Sequence, residues 1–274
     1  MEYTSEVAVA VKRSPAEALN TALSRFSEPI LPPKNSKQVI IKPSIYNPSL
    51  PGNTDVQMVR AAVRMFKSLG PVKIVESDNP LRTTTEAFTK SGYNSLIQDN
   101  VELVNLSDVD MVPTSFSGHH FKDRRMPELL GSDGFLINIA TLKAEPEICT
   151  IGAGIKNLFG LLPETDKSVY HTSIDSVLMD LLSNYTPNLI IIDLTQLVIG
   201  ARENGQVKQV GGVVVGTDPV AVDSYCASLL GMDPVKINHL ETAHKLGFGE
   251  VLLDLIRVSG TDHQIEELTK LCKV

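Results

Sequence analysis

The stretch "GAGIKNLFGLLPETDKSVYH", Gly152 to His171, concentrates residue types that do chemistry. Gly152 and Gly154 precede Lys156 and Asn157, and open glycine backbone can cradle an anion while a lysine supplies charge or a nucleophilic amine. The plainer reading is a glycine turn with an exposed lysine. Neither G-x-x-x-x-G-K-[ST] nor a G-x-G-x-x-G on a strand–helix turn is met, so no nucleotide motif stands behind it. His171 falls just before a predicted helix, where the helix N-terminus disfavours a protonated ring. A neutral, metal-ligating or proton-accepting imidazole follows, with His171 the best single metal candidate; a surface histidine is the plainer alternative.

Other candidates recur at predicted strand ends and helix starts. Glu76 and Asp78 in "ESDN" offer two carboxylates for a metal, a ribose or acid–base work, although Asp and Asn there also form turns and caps. Lys42, Lys143 and Asp193 each follow an apolar strand. Asp218 reads as a helix cap first and a site residue second. Asp223 lies one turn inside that helix beside apolar residues, and is harder to explain as surface. His119 and His120 have no ligand partner at helical spacing, and Cys226 reads as core.

The elements that must position these residues are legible from pattern. "EVAVAV" alternates as a strand, and "SPAEALNTALSRF" reads as a helix with Ser14 as cap and Pro15 first. "QVIIK", the helix "TDVQMVRAAVRMFKSLG" and "VKIVES" make a β-α-β unit within about 40 residues, which handedness rules make a right-handed crossover. Thr54 and Gln57 form a capping-box pattern in that helix. Further elements are the helix "TTTEAFTKSG", the strands "VELVNL" and "DGFLINIA", and the helix "TSIDSVLMDLLSNY" with Thr172 and Asp175 as its cap. "NLIIID" and "GGVVVGTD" follow as strands, "PVAVDSYCASLLG" as a helix capped by Asp218 and closed by Gly231, then a last strand and a C-terminal helix. The expected class is α/β: a mostly parallel sheet of βαβ units with helices on both faces, as one domain over 1–274 or two closely packed lobes joined within 107–132. In such sheets ligands bind at the carboxyl ends of the strands, so these polar residues are expected to gather on one edge.

Composition narrows the partners. The 274 residues are 42% hydrophobic and 21% charged, with a formal net charge of −7 and no basic stripe. Duplex nucleic acid is disfavoured, because its binding draws on many phosphate contacts. With no Trp and 5% aromatics, a stacking platform for single strands is disfavoured too. Cys149, Cys226 and Cys272 are far apart, so neither a four-cysteine cluster nor a secreted disulfide framework is expected. The start lacks the pattern of a signal peptide and no apolar run approaches about 18 residues, which predicts a reduced, cytoplasmic protein with no membrane span.

Taken together, "VIIKPS", "VESDN", "FLINIATLK", "GIKNLFGLLP", "YH", "NLIIID" and "VVVGTDPVAVDSYCASLLGMDP" resemble the domain of unknown function 362 family in order and spacing, from about Val39 to Gly260. The resemblance implies a fold and a site, not a reaction. Many members look like fusions to a ferredoxin-type module; this chain has no such motifs, so no iron–sulfur cluster is expected from it. It departs from the family pattern at Ser44, usually Asn, and at Thr141 to Glu145, where a Lys-Leu-Lys-Thr-His run is usual. After Asp193, "LTQLVIGARENG" replaces an acidic, glycine-rich stretch. A weaker similarity to the nickel-pincer lactate racemases would match Lys156 to the lysine that tethers the nickel cofactor and His171 to the nickel ligand. The proton-transfer histidine of that site would fall near Glu145.

The resulting expectation is a loop from Gly152 to Gly160 facing a cleft for a small anion, a carboxylate or phosphate. Lys156 and Asn157 hold it together with backbone N–H groups such as that of Gly154, Lys42 and Lys143 line the same cleft, and His171 with Glu76 or Asp78 moves protons or binds metal. A metabolic enzyme is the first reading. The alternative is a non-catalytic binding module, or a partner of a separate ferredoxin-like protein. A homodimer is the default assembly.

Overall fold

The computed structural model describes residues 3–34, 36–131, 134–145 and 150–274; Cys149 lies outside them. Strand β1 (Ser5–Val11) leads into α1 (Pro15–Leu23), β2 (Gln38–Pro43), α2 (Val56–Phe66), β3 (Val72–Glu76), α3 (Thr84–Lys90) and β4 (Val101–Asn105). A hairpin, β5 (Met111–Ser115) and β6 (Asp123–Pro127), precedes β7 (Gly134–Glu145), β8 (Thr150–Gly152), α4 (Gly154–Asn157) and α5 (Ile174–Asn184). Then come β9 (Leu189–Ile199), β10 (Gln206–Gly216), α6 (Pro219–Leu229), α7 (Asn238–Lys245), β11 (Ile256–Ser259) and α8 (Asp262–Cys272).

Among the described residues one large sheet runs in the order β11-β1-β10-β9-β7-β2-β3-β4, with β8 added to the end of β7. The pairs β9–β7, β7–β2, β2–β3, β3–β4 and β1–β11 are parallel, and β10 runs against both of its neighbours. The class is therefore α/β with a mostly parallel sheet, as the residue pattern predicts. Alternating strand residues feed two cores. Val39, Ile41, Ile74, Ile137 and Ile139 pack with Met58, Val59, Val63 and Phe66 of α2 and Phe88 of α3. Ile40, Ala140, Ile190 and Ile192 pack on the other face with Ile155, Leu158, Val177, Leu178 and Leu181.

This division creates a switch point. From β2 the chain steps outward through α2 and α3 on one face. From β7, immediately beside β2, it steps the other way through α4 and α5 on the opposite face. Crossovers that diverge from adjacent strands leave a crevice at the carboxyl ends of those strands, where doubly wound sheets take ligands.

Three local expectations are corrected. Asp55, not Thr54, caps α2 by accepting from Gln57 N at 2.7 Å, while the Thr54 hydroxyl donates to the Ile139 carbonyl. Thr172 and Asp175 do not cap α5; Ser173 holds the cap position, and Asp175 turns to Asn238 and His239 of α7. Residues 154–161 form α4 and a 3-10 turn rather than an open loop. Asp218, Pro219 and Gly231 bound α6 as expected. The interval 107–132 holds the hairpin, whose tip is fixed to α5. Asp180 accepts from the Ser117 hydroxyl and from the backbone N–H of His119, His120 and Phe121.

Candidate functional site

Lys42 stands at the end of β2, level with Asn138 of β7, on the face covered by α4. It is 1% exposed, and its Nζ donates to Glu76 Oε2 at 2.9 Å and to the Pro43 carbonyl. Burial pushes the ammonium below the ordinary lysine value; Glu76 pulls it back in part, and Arg82 pushes it further down. Glu76, at the end of β3, also accepts from the backbone N–H of Ile45 and Ser77. Gly160 covers this pair so closely that a Cβ there would meet Lys42 Nζ at 2.7 Å, which is why glycine stands at that point.

Arg82 and Lys167 complete the cluster. Arg82 is 7% exposed and donates to the carbonyls of Ser77, Ile45 and Tyr46. Lys167 is 9% exposed and donates to the Asp78 carbonyl at 2.7 Å. Burial lowers Lys167 to about 8; Glu76 and Asp78 oppose that shift, and Lys42 and Arg82 reinforce it. Burial alone would raise the Asp78 carboxyl, but bonds from Thr84 and Asn105 and the charge of Arg82 hold it below the usual carboxylate range. Asp78 Oδ1 accepts from Thr84 N at the start of α3, so it acts first as an anchor for that helix.

The glycine backbone does hold a carboxyl group, and it is the protein's own. Gly154 N and Ile155 N both donate to Asp223 at 2.8 Å, so the expected cradle for a ligand is filled from α6. A Cβ at Gly154 would meet Asp223 Oδ1 at 2.9 Å. Asp223 is fully buried, which pushes its carboxyl up to about 7. Asn157 donates to Asn138 Oδ1 at 2.7 Å and to the Lys42 carbonyl at 3.2 Å, stapling α4 across β2 and β7. Lys156 Nζ lies 4.2 Å from the centre of the Phe159 ring, on which His171 stacks at 5.4 Å. Partial burial and the Lys156 charge lower His171, leaving a neutral imidazole at pH 7.

Not every candidate joins this edge and face. Lys143, five residues beyond the level of Lys42, donates to Thr141, and Thr141 donates to Gly52 in the loop before α2. Strand alternation puts both on the face opposite Lys42. Asp193 shares that face, accepting from Asp55 N and Thr195, and burial raises its carboxyl. Glu145 pairs with Arg202 at 3.7 Å, and Arg202 covers the Tyr46 ring. Asp218 lies at the opposite edge, because β10 is antiparallel. There it caps α6 and accepts from Ser5 and Glu250 N.

The residues missed from sequence are Arg82, Lys167, Asn138 and His239. Asn138, an amide inside the apolar run "FLINIA", was the readable signal. Arg82 and Lys167 are ordinary surface types whose burial depends on contacts distant in sequence. His239 is 1% exposed with Nδ1 3.8 Å from Asp175, and burial lowers it to about 4.

Among the described residues no three His, Cys, Asp or Glu side chains converge to hold a metal ion. The nickel-pincer group does not fit either. Lys156 and His171 are both engaged with the Phe159 ring, Lys156 at 4.2 Å and His171 stacked at 5.4 Å. The position matched to the proton-transfer histidine is Glu145, tied to Arg202. Two cavities lie away from the switch point: one of about 480 Å³ lined by Phe26 and Pro29 to Leu31, and one of about 180 Å³ beside α2 lined by Arg60, Arg64 and Lys67.

The family described as Domain of unknown function (DUF362) matches residues 39–228, from β2 to α6. The chain belongs to the DUF362 family. That span takes in every part of the Lys42–Glu76–Arg82–Lys167 cluster and Asp223. It ends before α7, so the buried His239 lies outside the DUF362 match. A thylakoid-associated protein of Synechocystis sp. (strain ATCC 27184 / PCC 6803 / Kazusa) is 23% identical over 234 residues, covering 81% of this chain and 72% of that protein. No solved structure matches. Among the described residues no helix is long and apolar enough to cross a membrane.

Proposed function

We propose that this DUF362 protein binds a small anionic molecule, a carboxylate or a phosphate ester, at the β2–β7 switch point, and acts on it as a metabolic enzyme. The observation that carries this reading is the charge balance there. Lys42, Arg82 and Lys167 face Glu76 and Asp78, with the exposed Asp166 beside Lys167 a third carboxylate, at the edge where doubly wound sheets take ligands. Lys156 adds a fourth cation on the same strap, 152–171. In a protein of net charge −7, such a local excess focuses an anion into one place.

Within this reading the roles differ. Glu76 is the counter-ion that keeps Lys42 charged, and Asp78 anchors α3. His171, neutral and partly open, is the proton acceptor. Lys156 and Lys167 reach the anion from the strap. One observation favours the non-catalytic alternative: the Glu145–Arg202 pair stands where the family usually has a histidine.

Thermal melting at low salt against phosphate, oxalate and pyruvate tests the binding. The expected result is a rise in Tm with at least one anion that is lost in both Lys156→Met and Lys167→Met. Melting unchanged by every anion, or shifts retained in both variants, would contradict it.

A further inference from the structure

Lys167 differs from the other cations of the cluster. Lys42 is committed to Glu76, and Arg82 to three backbone carbonyls. The Lys167 amine has a single hydrogen-bond partner among the described residues, the Asp78 carbonyl, and forms no ion pair with a carboxylate there. It is nearly buried, yet Asp166 and Ser168 on either side are exposed, so its end of the strap borders solvent. Desolvation beside other cations is the arrangement that keeps a lysine amine unprotonated and nucleophilic towards carbonyls.

We propose that Lys167 is the nucleophile of this site, forming a Schiff base with the carbonyl carbon of a small anionic aldehyde or 2-oxo acid. This rests on the anion-binding reading given above and names its substrate class. The amine lone pair adds to the carbonyl carbon, and a proton passes from the nitrogen to the oxygen. Uptake of one further proton from solvent lets that oxygen leave as water, giving a protonated C=N bond. Neither oxidant nor reductant is needed. Lys42, Arg82 and Lys156 offset the negative charge of the substrate. The iminium formed at Lys167 is an electron sink for a bond broken next to it, and His171, neutral and on the same strap, is the base.

The amine is lowered to about 8 from the ordinary lysine value of 10.5, so about a tenth is unprotonated at pH 7. The groups acting on it are Glu76, Asp78 and Asp166, which favour its charge, and Lys42 and Arg82, which oppose it.

The test treats the full chain with glyoxylate and cyanoborohydride, which reduces any imine to carboxymethyl-lysine, followed by peptide mapping. Exposed Lys236 is the internal reference. The expected result is labelling of Lys167 at least ten times faster than Lys236 at pH 7.5, with the rate rising through pH 8. Lys167→Arg should abolish that adduct. Labelling of Lys167 no faster than Lys236 would overturn the proposal. If the rise in Tm persisted in that case, only the nucleophile would be lost; if it too were absent, the anion site itself would fail.

Discussion

At the scale of single residues, buried charge is balanced pair by pair, and imbalance should be costly. Glu76→Gln leaves the Lys42 ammonium without its counter-ion at 1% exposure. Removing one partner of a buried pair costs about 3–5 kcal/mol, so urea unfolding should show a loss of that size. The joint change Lys42→Met with Glu76→Leu should cost less than Glu76→Gln alone. Asp223 carries a pH signature. Its carboxyl is raised to about 7 in the fold, against about 3.9 in an unfolded chain. Between those values the folded form holds the extra proton, so its contribution is complete below about pH 4 and is lost as pH rises through 7. Asp223→Asn cannot ionise, so its stability profile should be flatter from pH 4 to 7. It should also lose about 1–3 kcal/mol at pH 5, because an amide nitrogen then faces a backbone donor. Profiles that stay parallel would contradict this. Asp223 was legible in sequence as an acid inside an apolar helix. Its partner was not, because Gly154 is 69 residues away and nothing local links the two.

At the scale of elements, the hairpin β5–β6 and the strap are coupled. Asp180 gathers four hydrogen bonds from the hairpin tip; burial alone would raise its carboxyl, but those bonds hold it low. Arg124 of β6 pairs with Glu164 on the strap and lies 4.3 Å over Phe121, while the Tyr170 hydroxyl donates to Glu164. Asp180→Ala should therefore free the tip. We expect faster proteolysis within residues 116–122 and a stability loss of at least about 3 kcal/mol, since each of the four bonds to this charged acceptor is worth about 1.5–3 kcal/mol. Anion binding at the strap should weaken with it, whereas an unchanged cleavage pattern would show that the tip is held otherwise. Most helices and strands were readable, because apolar spacing and Pro or Gly punctuation are local. The strap was not: "GAGIKNLFG" looks like open loop, and it becomes helical through core packing of Ile155 and Leu158 and through the hold of Asp223 on Gly154 N and Ile155 N, both distant in sequence.

At the scale of the whole molecule, the order of strands decides which candidates meet. A parallel sheet could be inferred from the alternation of strands and helices, but not the reversal of β10. "GGVVVG" is apolar in either direction, and both of its faces are buried. That reversal sends Asp218 to the far edge, while alternation along β7 separates Lys143 from Lys42. What remains together is the set at the β2–β7 switch point. The central claim is that this crevice is an anion site, and the most direct measurement is anomalous diffraction from crystals soaked in selenate. The account predicts a selenium peak within hydrogen-bond reach of Lys167 or Lys156, absent when both are methionine. A peak only elsewhere, such as at Arg60, Arg64 and Lys67 beside α2, or no peak at all, would contradict it.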